Sequence, residues 1–293
     1  MPLLRNPDAV AKRVAILYHS AAGGTRVVAE LLAELLAELL AEPVKRDVRA
    51  MSITVGGALE LAASADFVVL CFPTYFLRPS SSMAEFIDRL PPACSGKPAY
   101  LLTTYELYTE NSLRSCALSA RAHGMVVTGS AALRAPGSDL TCVFPDWSCA
   151  SLYRFERRLP AKLSAVARAI SRLAVNGGRE SIPAVKWYTP FARPLQRAFF
   201  DRFIESRKRI RILQERCTDC GACITRCHRG AWRRTGNELV HLPDRCELCT
   251  ACIHHCPRRA IVLTSLLKDN RRLDVRHYAA LKTRMRARLA RRV

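Results

Sequence analysis

No run in this 293-residue chain approaches the eighteen or so apolar residues that a membrane-spanning helix requires. The richest stretch, Leu31 to Leu40, is interrupted by Glu34 and Glu38. The amino-terminal segment Met1-Pro2-Leu3-Leu4-Arg5-Asn6-Pro7-Asp8 carries prolines and charges where a secretory leader would carry an apolar core. The expected setting is therefore the reducing cytoplasm. Acidic residues are also scarce, with 25 Asp+Glu against 46 Lys+Arg and a net charge of +21. No acid–base pair or nucleophile constellation stands out, so no catalytic side chain is assigned. What remains is ample for burial: 49% of the residues are apolar, and the length suits two domains.

The cysteines divide into two kinds. Their total, 13, is odd, which argues against a disulfide framework. Cys71, Cys94, Cys116, Cys142 and Cys149 are scattered without ligand spacing and read as small buried hydrophobes. The other eight form one comb repeated 29 positions apart: Cys217-x₂-Cys220-x₂-Cys223-x₃-Cys227, then Cys246-x₂-Cys249-x₂-Cys252-x₃-Cys256 followed by Pro257. Structural zinc takes its ligands as two short pairs separated by a loop, unlike four cysteines within eleven residues. This rhythm is instead what two [4Fe-4S] clusters require, three close thiolates holding one cubane while the fourth reaches across to the other. The spacing assigns Cys217, Cys220, Cys223 and Cys256 to one cluster, and Cys246, Cys249, Cys252 and Cys227 to its neighbour. Such a protein moves electrons.

Residues 209–265 resemble bacterial-type two-cluster ferredoxins on the strength of these combs. That family usually has proline after the fourth cysteine of each comb. Here the first comb has His228, a titratable donor beside a ligand of the second cluster or else a solvated loop residue.

The preceding part alternates strand and helix signals. Val14–Tyr18, Phe67–Cys71, Ala99–Thr103 and Met125–Val127 are short apolar runs. Between them lie a helix over Thr25–Glu42, with leucines on one stripe and Pro43 closing it, and helices over 80–90 and 110–123. Buried strands separated by helices predict an α/β fold with a doubly wound parallel sheet. A basic amphipathic helix over about 151–175 is expected to close this domain at Asn176-Gly177-Gly178.

The turn after the first strand, Ser20-Ala21-Ala22-Gly23-Gly24-Thr25, places small residues and hydroxyls at a helix N-terminus, where backbone N–H groups can close around a phosphate. It has neither the lysine of a nucleotide triphosphatase loop nor the glycine order of a dinucleotide site, and an ordinary glycine-rich turn is the alternative. The loop resembles the FMN-phosphate loop of flavodoxins, (Thr/Ser)-x-Thr-Gly-x-Thr, through Ser20, Gly23 and Thr25, with Ala22 in place of a hydroxyl. The resemblance implies further flavin contacts from Pro73, Thr74, Tyr75 and Phe76 after the third strand, and from Thr104 and Tyr105 after the fourth. The second of these loops departs from the glycine-rich family pattern, having Tyr105, Glu106, Leu107 and Tyr108.

Together the two halves resemble a family of fused proteins: a flavodoxin-like domain (1–178), an aromatic and basic connector (179–208), a ferredoxin domain (209–265) and a basic C-terminal helix or tail (266–293). The resemblance implies an electron-transfer iron–sulfur flavoprotein carrying two [4Fe-4S] clusters and FMN. Two other readings are a nucleic-acid-associated iron–sulfur protein and a flavin-free domain that only binds a partner. Residues 186–293 hold 26 Lys+Arg against 9 Asp+Glu, a net of +17, leaving +4 for residues 1–185. The expected partner is an acidic redox protein or reductase, with peripheral contact to an anionic membrane as a further use of the charge. No nucleic-acid motif is present, and the small-molecule substrate is not legible.

Overall fold

The computed structural model describes residues 11–41, 46–135, 138–149, 157–185, 194, 197–198, 201, 205–236 and 238–291. Strands and helices alternate as β1 (Arg13–Tyr18), α1 (Gly24–Leu39), β2 (Asp47–Ser52), α2 (Ala58–Ser64), β3 (Phe67–Tyr75), β4 (Arg78–Pro79), α3 (Ser81–Asp88), β5 (Pro98–Tyr105), α4 (Ser112–Ala122) and β6 (Val126–Arg134). Two short helices, α5 (Leu140–Val143) and α6 (Asp146–Cys149), precede the long α7 (Leu159–Asn176). The parallel sheet runs β2-β1-β3-β5-β6, and β4 folds back antiparallel on the end of β3. This is the flavodoxin-like order, whose switch point between β1 and β3 opens a crevice at the carboxyl ends of the strands.

The strands are apolar throughout because both faces are covered. Val14, Ile16 and Tyr18 of β1 pack with Val27, Leu31 and Leu32 of α1 and with α7, while Ala15 and Leu17 pack with α2, α3 and α4. Each leucine fully buried this way contributes about 1.5–3 kcal/mol relative to an exposed one. The edge strand β2 has no fully buried residue, so no apolar run announces it in the sequence. Strands β3 and β6 continue beyond their apolar runs, to Tyr75 and Arg134, and β3 carries Thr74 and Tyr75 to the crevice.

The remainder comprises β7 (Arg211–Ile212), α8 (Ala222–Arg226), β8 (Trp232–Thr235), β9 (Glu238–His241), α9 (Ala251–His255), β10 (Ile261–Val262) and α10 (Val275–Ala290). Strands β7 and β10 pair antiparallel, as do β8 and β9. The 29-residue repeat is written in the backbone as well as in the cysteines. Asp219 and Leu248 have φ of 54° and 55°, and Gly221 and Thr250, each preceding a short helix, have 71° and 57°. All four of these left-handed positions lie within the cysteine triplets themselves, and three are filled by residues with side chains, so the turns hold conformations that ordinary loops avoid.

Helix α10 returns to the sheet. Tyr278, Leu281, Met285 and Leu289 enter the core shared by α1 and α7. On its flank Lys282 reaches Glu30 and Glu34, and Arg286 grips both carboxylate oxygens of Glu34. Residues 275–290 are thus a docked helix rather than a solvated tail. Of the connector, Ser181 donates its N–H to the Val127 carbonyl at 2.7 Å, Arg114 donates to the Pro183 carbonyl, and Ile182 packs beside α4. Its aromatics Trp187, Tyr188, Phe191, Phe199, Phe200 and Phe203 lie outside the described residues, as do Pro43 and residues 150–156. Among the described residues no helix is long and apolar enough to cross a membrane.

If α10 is part of the core, Tyr278→Ala will cost about 3–5 kcal/mol, as deletion of a buried aromatic ring does. Arg286→Gln, which breaks only an exposed ion pair, will move the urea midpoint little. Equal midpoints for wild type and Tyr278→Ala would show that the helix is dispensable to the fold.

Candidate functional site

A cavity of about 800 Å³ lies at the carboxyl edge of the sheet. Ser20, Ala22, Gly23, Gly24 and Thr25 line it from the β1–α1 turn, Pro73, Thr74, Tyr75 and Phe76 from the end of β3, and Thr104 and Tyr105 from the end of β5. Ala21 does not. Its backbone lies within hydrogen-bonding reach of the His255 ring. The sequence reading also missed much of the opposite wall, which Leu140, Val143 and Phe144 of the α5 region, Arg209, Leu263 and Tyr278 supply.

The β1–α1 turn is built for an anion. Helix α1 begins without a side-chain cap and with no acidic residue in its first turn, so its N-terminal amides and positive dipole end remain available. Gly23 has φ of 131°, and a Cβ there would stand 2.6 Å from Cδ2 of Tyr278. Glycine is thus required both by the backbone angle and by the ring packed against it. Thr25 and Thr104 hydroxyls meet at 2.8 Å, tying this turn to the end of β5. On the next strand Thr74 hydrogen-bonds Thr103 at 2.8 Å and donates to Ser112 at 2.9 Å. At the β3–β4 turn Phe76 and Leu77 take φ of 48° and 68°, a costly conformation for side chains of that size.

The second comb shares an apolar core with two residues of the cavity wall. Cys217, Cys220, Cys223 and Cys256 surround one small hollow together with Leu239 and Ile261. Cys227 lies on the other side, near enough to Cys246 and Cys252 to act on the ionisation of both. Backbone amides point at the sulfurs in matching pairs: Ala231 N–H donates to Cys227 at 3.3 Å and Ala260 N–H to Cys256 at 3.2 Å. Burial pushes the Cys223 thiol up to about 11 and the Cys249 and Cys252 thiols higher still. Such thiols ionise only beside a cation, and a coordinated metal supplies one. The five scattered cysteines are buried, and burial raises their thiols too, Cys142 to about 12.

Cavity and combs share residues. Phe76 and Cys142 line the cavity and also pack into the apolar core around Cys246, Cys252 and Trp232. Ser138, another lining residue, donates to the Cys249 carbonyl. His254 locks this corner: its ring lies 2.6 Å from the Ser138 carbonyl through Nε2 and accepts the Leu273 amide at Nδ1, and burial lowers its pKa to about 4. Burial likewise pushes the Tyr75 phenol up, with Cys249 and Glu247 close enough to add to it.

A second polar cluster crosses the seam. His19, immediately after β1, meets His228 at the end of the first comb and Glu247 inside the second. Burial lowers the His19 pKa to about 4. Burial opposes ionisation of Glu247, but His228, His19 and Ser82 outweigh it and hold its carboxyl down at about 2. The sequence singled out His228 as unusual but not its partners.

Residues 13–136 match the family described as NADPH-dependent FMN reductase, a span of under half the chain. No curated protein matches the chain. Among solved structures, the two-electron reduced flavodoxin of Megasphaera elsdenii is 18% identical over 54% of this chain and 98% of its own, with a TM-score of 0.39. A flavodoxin from the domain Archaea is 16% identical at the same coverage, with a TM-score of 0.37. The rubredoxin oxygen:oxidoreductase of Desulfovibrio gigas is also 16% identical, over 56% of this chain and 36% of its own, at 0.36.

An anion-binding role for the β1–α1 turn is testable with two ligands that differ only by a phosphate. Ser20→Asp will weaken FMN binding at least tenfold in a flavin-fluorescence titration, through like-charge repulsion worth about 1.4 kcal/mol or more. Riboflavin binding will change little. Equal losses for both ligands would place the phosphate elsewhere.

Proposed function

We propose that this chain is an iron–sulfur flavoprotein that carries electrons between two [4Fe-4S] clusters and FMN, and on to or from a redox partner. The observation that carries this reading is continuity. The wall of the cavity and the core around the second comb are one packed body through Phe76 and Cys142. The family match over residues 13–136 supports flavin-based oxidoreduction.

The residues fit each group. For FMN, the uncapped start of α1 with Ser20 and Thr25 suits the phosphate, and Tyr75, Phe76 and Tyr105 offer aromatic walls to an isoalloxazine. For the clusters, eight cysteines stand in two sets, with backbone amides donating to sulfur. When bound, FMN exchanges one or two electrons and each cluster one, so the assembly converts between single and paired electrons.

The protein's own contribution is order and insulation. Cys220 of the first comb is exposed, whereas the second comb sits against the cavity wall. A cluster held by the first comb would thus be the one open to a partner, and one held by the second comb the one next to the cavity. The outer rim carries exposed Arg226, Arg233 and Arg258, the last lining the first hollow. These charges suit an acidic partner docked over Cys220 through a small interface whose on-rate is set by electrostatics.

Anaerobically prepared protein will contain about eight iron and eight sulfide per chain, as two four-cysteine cubanes require. Cys227→Ala will damage the cluster of Cys246, Cys249 and Cys252 and spare that of Cys217, Cys220 and Cys223, resolved by electron paramagnetic resonance of the reduced protein. Stoichiometric zinc without sulfide would refute the assignment.

The partner reading has its own check. Replacing Arg226 and Arg258 together with glutamine will slow reduction by an acidic ferredoxin at low salt and flatten its salt dependence. Arg286→Gln, on the far helix, will leave both unchanged. A rate indifferent to salt would discard electrostatic docking.

A further inference from the structure

Three ligand atoms, two of them on buried side chains, converge where the two halves of the chain meet. His19 Nε2 lies 3.2 Å from His228 Nε2 and 3.3 Å from Glu247 Oε1, and His228 Nε2 lies 3.0 Å from the same oxygen. The side chains of His19 and Glu247 are 1% and 3% exposed, and that of His228 18%, although its backbone is open to solvent. Among the described residues these three form a group of ligand type within the reach of one ion.

The spacing is that of a coordination polyhedron. Ligands about 2.0–2.1 Å from a tetrahedral zinc ion stand about 3.3–3.4 Å from one another. The three distances found here, 3.0 to 3.3 Å, approach that edge length. Glu247 Oε1 is fully buried and accepts no aligned hydrogen bond among the described residues, despite two imidazoles at contact distance. The neighbouring imidazoles and Ser82 favour the ionised carboxylate, and a cation at the common centre would give this unaligned oxygen a direct partner.

The outer contacts are those of a metal site. His19 Nδ1 meets the buried Ser80 hydroxyl at 2.8 Å, a contact that fixes the ring with Nε2 inward. Glu247 Oε2 receives the Ser82 hydroxyl at 2.9 Å and the Ser82 amide at 3.2 Å, which turns Oε1 toward the imidazoles. Ser82 Oγ is also 2.9 Å from His228 Nε2, and a hydrogen bond there is the arrangement that competes with a metal.

We infer that His19, His228 and Glu247 bind one divalent ion of the zinc type. Two imidazoles and one carboxylate suit Zn²⁺ and neighbouring first-row ions and leave a fourth position open. The ion would join the strand end that precedes the anion-binding turn to both cysteine combs, at a position independent of the cluster thiolates.

The test uses the full-length, anaerobically prepared, cluster-containing protein equilibrated with Zn²⁺ and then desalted. Wild type will retain one zinc per chain. X-ray absorption at the zinc edge will show nitrogen and oxygen neighbours at about 2.0 Å and no sulfur at about 2.3 Å. Glu247→Gln will lose this zinc. Ser80→Ala, remote from the cysteines, will weaken zinc affinity about 10–100-fold as outer-contact substitutions do, and so decides the matter should Glu247→Gln fail to fold. Iron and sulfide assayed on the same samples report the cluster reading separately. Absence of retained zinc, zinc bound through sulfur, full retention in folded Glu247→Gln, or unchanged affinity in Ser80→Ala would each overturn the site.

Discussion

Tyr278 closes on Gly23 so tightly that no side chain fits between them, and much of the architecture follows from that approach. The ring comes from the last helix and the glycine from the first turn, so the chain must travel out through both cysteine combs and back before the cavity has its wall. Helix α10 is held on that course by Leu281, Met285 and Leu289 in the core and by Lys282 and Arg286 on Glu30 and Glu34. The apolar contacts supply the stability. The exposed pairs contribute direction more than energy, since solvent screens them. Docking of α10 and completion of the cavity wall thereby depend on the same contacts.

This return path also explains why the second comb is the inner one. Its core is continuous with Phe76, Cys142 and the Ser138 corner, and His254 fastens that corner by hydrogen bonds on both ring nitrogens. The first comb has no such cover, and Cys220 reaches solvent. A cluster at each comb would therefore differ in solvation and in hydrogen bonding to sulfur, two of the terms that set reduction potentials. The asymmetry arises from packing, since the backbone turns of the two repeats are nearly superimposable in φ.

Legibility in the sequence followed locality. The comb is local in sequence, so its spacing could be read outright, and the hollow bounded by Cys217, Cys220, Cys223 and Cys256 requires only one long-range cysteine. Strands β1, β3 and β5 could be read because burial on both faces makes them continuously apolar. Strand β2, half-exposed at the sheet edge, and α2, a short alanine-rich helix after Gly56 and Gly57, left no comparable trace. The composition of the β1–α1 turn suggested an anion site, yet no local pattern could say that the Ala21 backbone would lie beside His255 while its neighbours line the cavity. Tyr278, Phe144 and Leu263 reach that cavity by tertiary packing alone. The meeting of His19 with His228, 209 positions away, is of the same kind.

The basic excess likewise resolves into separate tasks once it is placed in space. Part of it is internal: Arg286 and Lys282 clamp α10, Arg229 pairs with Glu85 across the seam, and Arg234 and Arg216 hold Asp219 and Asp269 around the combs. These charges are largely answered by carboxylates and generate little field at a distance. Arg226, Arg233 and Arg258 are exposed at the outer comb, where a low-dielectric cluster pocket would focus the field. Net charge alone made the whole second half look like a docking face. The ion pairs remove several of these residues from that count and leave Arg226, Arg233 and Arg258 among the exposed charges near the first comb.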